Sequence, residues 1–146
     1  MGELLVVVDA ANVVGARPDG WWRDRPGAAR RLYDRLVALA GRGLPPGTLP
    51  GDPAVRFVLV VEGAARAGVP AGGGEGGGTA VEVVHADGDG DDALLARVRA
   101  HPGRVLAVTA DRALRSRLAA AGADVTGPGW LWDLLDAAAG GGPARR

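Results

Sequence analysis

Three stretches of this chain are apolar almost without interruption, and each ends on or beside an acid. Leu4-Leu5-Val6-Val7-Val8 runs into Asp9, Phe57-Val58-Leu59-Val60-Val61 into Glu62, and Val105-Leu106-Ala107-Val108-Thr109 into Ala110-Asp111. Short continuous runs without polar alternation predict strands covered on both faces, as in a parallel sheet flanked by helices. The segments between them carry the helical period. Leu32, Leu36 and Leu39 recur within a helix near 27–40, with Arg30, Arg31, Asp34 and Arg35 outside the stripe. A strand at 80–84 precedes a helix from about Asp91 to Ala100, with Leu94, Leu95 and Val98 inward. A helix over 111–121 turns Leu114, Leu118 and Ala121 inward, and 124–126 fits a short edge strand. A last helix, 129–139, places Leu131, Leu134, Leu135 and Ala138 at i, i+3, i+4 and i+7. The stretch after Asp9 reads as a polar loop, and 64–68 as at most a helical turn. The prolines and glycines of 41–53 make a connection.

This alternation predicts a three-layer α/β/α sandwich with a mostly parallel central sheet. One domain over 1–139 is expected, with a flexible glycine-rich loop at 70–79 and a disordered tail at 140–146.

Composition narrows the function. The 146 residues contain no Cys, which excludes disulfides, thiolate zinc sites and cysteine nucleophiles. No apolar run approaches the roughly 20 residues of a membrane span. Glu3 leads straight into an apolar run with no basic leader, so a cytoplasmic protein with no membrane partner is expected. The 17 basic residues, all Arg, balance 17 acids. Zero net charge argues against broad electrostatic binding of nucleic acid. The distribution is uneven: seven Arg face three Asp between Gly15 and Arg42, whereas 82–92 holds five acids and no base. Arg, Ala and Gly enrichment fits a GC-rich genome, so the absence of Lys is not itself evidence of phosphate recognition.

In open α/β sheets, ligands bind outside the carboxyl ends of the strands. Asp9, Asp91, Asp92 and Asp111 all fall on that side, and Glu62 follows a strand there too. Each Asp taken singly has a plain alternative: Asp9 as the cap of a turn, and Asp111 and Asp91 or Asp92 as helix N-caps. Gathered carboxylates repel one another, and their usual compensation is a hard divalent cation such as Mg²⁺ or Mn²⁺. His85 and His101 lack ligand spacing, and both read as loop residues.

The first loop, Gly15-Ala-Arg-Pro-Asp-Gly-Trp-Trp-Arg-Asp-Arg25, would hang over these acids. Arg17, Arg23 and Arg25 can hold phosphates there, and Trp21 or Trp22 can stack a base. The plain alternative packs the tryptophans and pairs the arginines with Asp19 and Asp24. Arg112, beside Asp111, is the stronger phosphate contact, with Thr109 next to it. Trp130 and Trp132 read as packing residues.

The order Asp9-x-x-Asn12, then Gly90-Asp91-Asp92-x-Leu94 at a helix start, then Thr109-x-Asp111-Arg112 after a strand resembles the NYN/PIN-like nuclease superfamily. Asp9 to Arg25 and Gly127-Pro-Gly-Trp-Leu131 look most like small YacP-like bacterial NYN proteins, those of actinobacteria in particular. The resemblance spans nearly the whole chain. It implies a Rossmann-like, PIN-like fold and a divalent-metal-dependent ribonuclease acting on RNA. Its metal-site acids carry onto Asp9, Asp91 and Asp111, with Asp92 adjacent and Asn12 positioning Asp9 or a water. Glu62 falls behind those ligands. A protein partner or a homodimer stays open. So do two other readings: a binding module without catalysis, and a hydrolase of small nucleoside phosphates.

Overall fold

The computed structural model of the chain describes residues 3–73 and 81–139. In chain order these form β1 (Glu3–Asp9), α1 (Ala10–Gly15), a 3₁₀ turn (Trp21–Arg23), α2 (Arg25–Arg42) and β2 (Ala54–Val61). A second 3₁₀ segment (Gly63–Gly68), β3 (Gly72–Gly73), β4 (Val81–His85), α3 (Gly90–Ala100) and β5 (Arg104–Val108) follow. The chain continues through α4 (Arg112–Ala120), β6 (Asp124–Thr126) and α5 (Pro128–Ala139). Among the described residues the strands build one six-stranded sheet, ordered β3-β4-β2-β1-β5-β6. Every pairing is parallel except that of β3 with β4.

Alternation along β1 explains the layers. Leu4, Val6 and Val8 face one side and pack with Val13 of α1, Leu32 and Leu36 of α2, and Leu131 of α5. Leu5 and Val7 face the other and pack with Leu94 and Leu95 of α3 and Leu114 and Leu118 of α4. Both faces of a central parallel strand are thus dry, which is why its sequence shows no polar alternation. Each fully buried Leu or Val here contributes roughly 1.5–3 kcal/mol over exposure. The expected three-layer sandwich with its mostly parallel sheet is the one observed.

The strand order positions the site. From β1 the chain moves outward to β2 and then β4, and it returns to the other flank of β1 for β5 and β6. The order reverses between β1 and β5, the switch point at which such sheets open a crevice.

Local expectations were corrected in three places. The stretch after Asp9 is helical rather than a polar loop, because Asp9 caps α1 and Val13 is fully buried. The Trp132 indole also donates to the Val13 carbonyl at 2.8 Å. The second helix begins two residues early, with Asp24 as its N-cap accepting from Gly27 N. A Cβ on Gly27 would sit 2.1 Å from the Asp24 carboxylate, so that cap requires glycine. Gly72 and Gly73, expected in a flexible loop, pair with Val83 and Glu82 as β3. Residues 74–80 and the tail 140–146 lie outside the described residues.

Candidate functional site

At the switch point, four residues from two strand ends form one hydrogen-bonded unit. Asp9, the last residue of β1, is 4 % exposed. Its Oδ1 accepts from Asn12 N at 3.3 Å, and its Oδ2 accepts from Asn12 Nδ2 at 3.1 Å. Thr109, fully buried just past β5, donates its hydroxyl to the same Oδ2 at 2.9 Å. Thr109 Oγ1 in turn accepts from Asp111 N at 3.2 Å, and Asn12 Oδ1 accepts from Ala110 N at 3.0 Å. Asp111 Oδ1 caps α4 through Leu114 N at 2.9 Å. Two loops that are distant in sequence are therefore pinned to each other across the carboxyl edge.

Two further acids face this unit. Glu62, just past β2, accepts from Gly90 N at 2.8 Å and so ties the β2 end to the start of α3. A Cβ on Gly90 would meet Glu62 Oε1 at 2.8 Å, so the close approach depends on glycine there. Burial raises the Asp9 carboxyl above its ordinary range. The hydrogen bonds from Thr109 and Asn12 oppose that rise, and the charges of Glu62 and Asp91 add to it. The Asp91 carboxyl is raised as well, by burial first and then by Asp89 and Asp111, with Arg117 opposing and Glu62 adding. Asp9, Glu62, Asp91 and Asp111 thus share one electrostatic neighbourhood with a surplus of negative charge.

An all-oxygen donor set whose repulsion Arg117 only partly offsets is of the kind that suits a hard cation. As the side chains stand, no three His, Cys, Asp or Glu residues among the described residues are gathered to hold a metal. The reason is local: Asp9 is turned to Asn12 and Thr109, Asp111 to its helix, and Glu62 to Gly90.

Other expected site residues lie differently. Asp92 points away, with its side chain 90 % exposed and 3.5 Å from Arg117. Neither Asp91 nor Asp92 caps α3; that cap is Asp89, which accepts from Asp91 N. Thr109 has no surface to offer a phosphate, and its hydroxyl holds Asp9 instead. Arg17 is engaged by α5, pairing with Asp136 and lying 4.0 Å over the Trp132 ring. Arg35 shares both partners, and together the two guanidiniums hold the Asp136 carboxyl below its usual range. The Arg17 ion pair thus spans 119 residues and does not involve Asp19 or Asp24. Arg23 is exposed, 5.8 Å over the half-exposed Trp22 ring. Arg112 is exposed at the start of α4 and makes no ion pair among the described residues. His85 anchors a loop at 2.6 Å from the Val69 carbonyl. Trp130 and Trp132 pack against the core, as expected.

Sheet order, layers and switch point together define a three-layer α/β/α fold with a mostly parallel sheet, shared with a solved bacterial protein. One solved structure that the chain resembles is Rae1 (YacP) from Bacillus subtilis, a W164L mutant, at a TM-score of 0.66. The alignment covers 92 % of this chain and 76 % of that one at 14 % identity, so the likeness is one of fold. The YacP-like resemblance read from the motifs is met at that level. No protein-family model matches the chain, and no curated protein does. Among the described residues no helix is long and apolar enough to cross a membrane.

Proposed function

We propose that this protein is a divalent-metal-dependent endoribonuclease whose site is the acidic crevice between the ends of β1 and β5. The observation that carries the reading is the coincidence of three features. The strand order reverses there, the Asp9–Asn12–Thr109–Asp111 unit spans the reversal, and Asp91 and Glu62 add charge beside it. Capping alone accounts for Asp9 and Asp111 one at a time. It does not account for the raised carboxyls of Asp9 and Asp91, to which burial contributes first and neighbouring acids add.

Asp9, Asp91 and Asp111 would hold Mg²⁺ or Mn²⁺, and the bound ion would supply an activated water and neutralise phosphate charge. The chain's own residues supply the rest. Asn12 and Thr109 fix the Asp9 carboxylate, so its charge needs no reorganisation during the reaction. Glu62 orients the start of α3, which carries Asp91. Arg112, exposed one residue beyond Asp111, is placed to take a phosphate of the strand. Asp92 and Arg17 have no part in this reading.

The runner-up is an RNA- or protein-binding module that does not cut. It is favoured by the fact that each inward carboxylate is already engaged by protein donors, with no three gathered as ligands.

The test is cleavage of single-stranded RNA in Mn²⁺ by the protein and by Asp111→Asn. Asparagine caps a helix about as well as aspartate, so this change removes the charge and keeps the cap. The expected result is cleavage that stops in the variant while its melting temperature stays within a few degrees of the parent. RNA binding without cleavage in any of several metals selects the binding module. Phosphate release from nucleotides without RNA cleavage selects a small-nucleotide hydrolase.

A further inference from the structure

Beside the acidic crevice lies a cavity of about 320 Å³ that the reaction does not require. Its walls come from α1, α2, the Trp21–Arg23 turn and the Gly63–Gly68 segment, and they include Ala10, Ala29, Ala64, Trp21 and Arg25. The volume falls near the lower end of the roughly 300–1,000 Å³ of ligand sites, suited to one planar ring system. Half of the wall positions, Ala10, Ala11, Ala29, Ala64 and Ala65, are alanine, whose side chain stops at a methyl group and leaves the space open. The cavity borders the acidic site: Glu62 lines it as well as holding Gly90, and the lining residue Ala10 follows Asp9 directly.

Its polar and aromatic groups fit one occupant. Trp21 and Arg25 present the two flat surfaces on which unpaired bases stack, an indole and a guanidinium. The Arg25 guanidinium lies 4.7 Å over the Trp21 ring, and the Trp22 ring meets Trp21 edge-on at 5.8 Å, so the indole is braced on both counts. Arg25 makes no ion pair among the described residues, which leaves its charge for a strand phosphate.

We infer that this cavity takes one unpaired base of the RNA strand, next to the phosphate held at the acids, and so fixes the register of cleavage. The inference rests on the nuclease reading for its substrate, and its test needs no cleavage. The probe is a fluorescein-labelled hexaribonucleotide, titrated in Ca²⁺ and read by anisotropy, with one abasic ribose walked along the strand. One abasic position should weaken binding roughly 5- to 150-fold, the range of one lost base–aromatic stack, and the others far less.

Trp21→Ala should weaken the parent hexamer by a similar factor and erase the difference between positions. Ala64→Leu should do the same by filling the cavity. Ala64 is exposed on a 3₁₀ segment, so the larger side chain leaves the core intact, and a thermal melt checks this. Equal binding at every abasic position overturns the inference. So does full-strength binding by Ala64→Leu, or no binding by the parent protein. A protein that shows the abasic minimum and never cuts RNA in Mn²⁺ keeps the pocket and loses the nuclease reading. One that cuts RNA with no abasic minimum keeps the nuclease and loses the pocket.

Discussion

Thr109→Val removes the hydroxyl that holds the Asp9 carboxylate. Valine has nearly the shape of threonine, and the site is fully buried, so neither a cavity nor overpacking confuses the result. What is lost is the donor at 2.9 Å from Asp9 Oδ2 and the acceptor of Asp111 N at 3.2 Å. A hydrogen bond to a charged group contributes roughly 1.5–3 kcal/mol and a neutral one about 1 kcal/mol, and the added methyl returns about 0.8 kcal/mol of burial. The net cost near neutral pH is therefore about 2–3 kcal/mol, or roughly 4–12 °C in Tm for a chain of this size. Thr109 is also the strongest influence lowering the Asp9 carboxyl against burial, so valine raises that carboxyl further. An acid whose folded pKa is raised destabilises the fold above that pKa, and protonation relieves the penalty as pH falls toward the unfolded value. The variant has more to relieve, so its deficit should shrink from pH 7.5 to pH 4.5. Urea unfolding in EDTA at the two pH values measures it, with Thr109→Ser as the control that keeps the hydroxyl. A deficit that is equal at both pH values, or one that Thr109→Ser reproduces in full, refutes the argument.

Gly90→Ala should destabilise the protein by roughly 1–3 kcal/mol in urea melts, because the new Cβ displaces Glu62 from the Gly90 amide; wild-type stability would remove the glycine argument. Asp91→Asn should stabilise the metal-free protein by less than about 1 kcal/mol and weaken its thermal stabilisation by Mn²⁺, since the raised carboxyl shows that burial and repulsion outweigh the helix's attraction for an acid. A variant that loses stability and responds to Mn²⁺ as the parent does would take Asp91 out of the site.

The sheet was readable because central parallel strands carry an unbroken apolar signal, and Asp9 and Asp111 were readable because they follow such strands. Helix α1 was not, since Ala-Ala-Asn-Val-Val-Gly has two β-branched residues and a glycine, which weigh against helix in a short segment. Long-range contacts reversed that preference: Val13 is buried against the core, and Trp132 takes its carbonyl from far along the chain. The cap of α3 was misread because Asp87, Asp89, Asp91 and Asp92 crowd one segment, and spacing does not say which of them has the extended backbone of an N-cap. The partner of Arg17 was not legible either, because Asp136 lies too far along the chain for any local pattern to link the two. The β3 pair consists of two glycines, which leave no side-chain pattern to read.

Capping and metal binding look like rival explanations for these acids in a sequence, and the geometry makes them compatible. A parallel sheet delivers a helix N-terminus over each strand's carboxyl end, so an acid placed there caps a helix and faces the crevice together. An ionised carboxylate has roughly four acceptor sites. Among the described residues, Asp111 spends one on Leu114 N, whereas Asp9 spends three, on Asn12 twice and on Thr109. Asp9 is therefore a rigid anchor with about one site to offer a cation, and Asp111 keeps most of its capacity. The same bonds that make Asp9 a cap hold its charge at the switch point, so a cap at this position is no argument against a metal ligand. What distinguishes the roles is the repulsion that Asp91 and Glu62 exert on Asp9, and Asp111 on Asp91, which a cap does not require and a bound cation would remove.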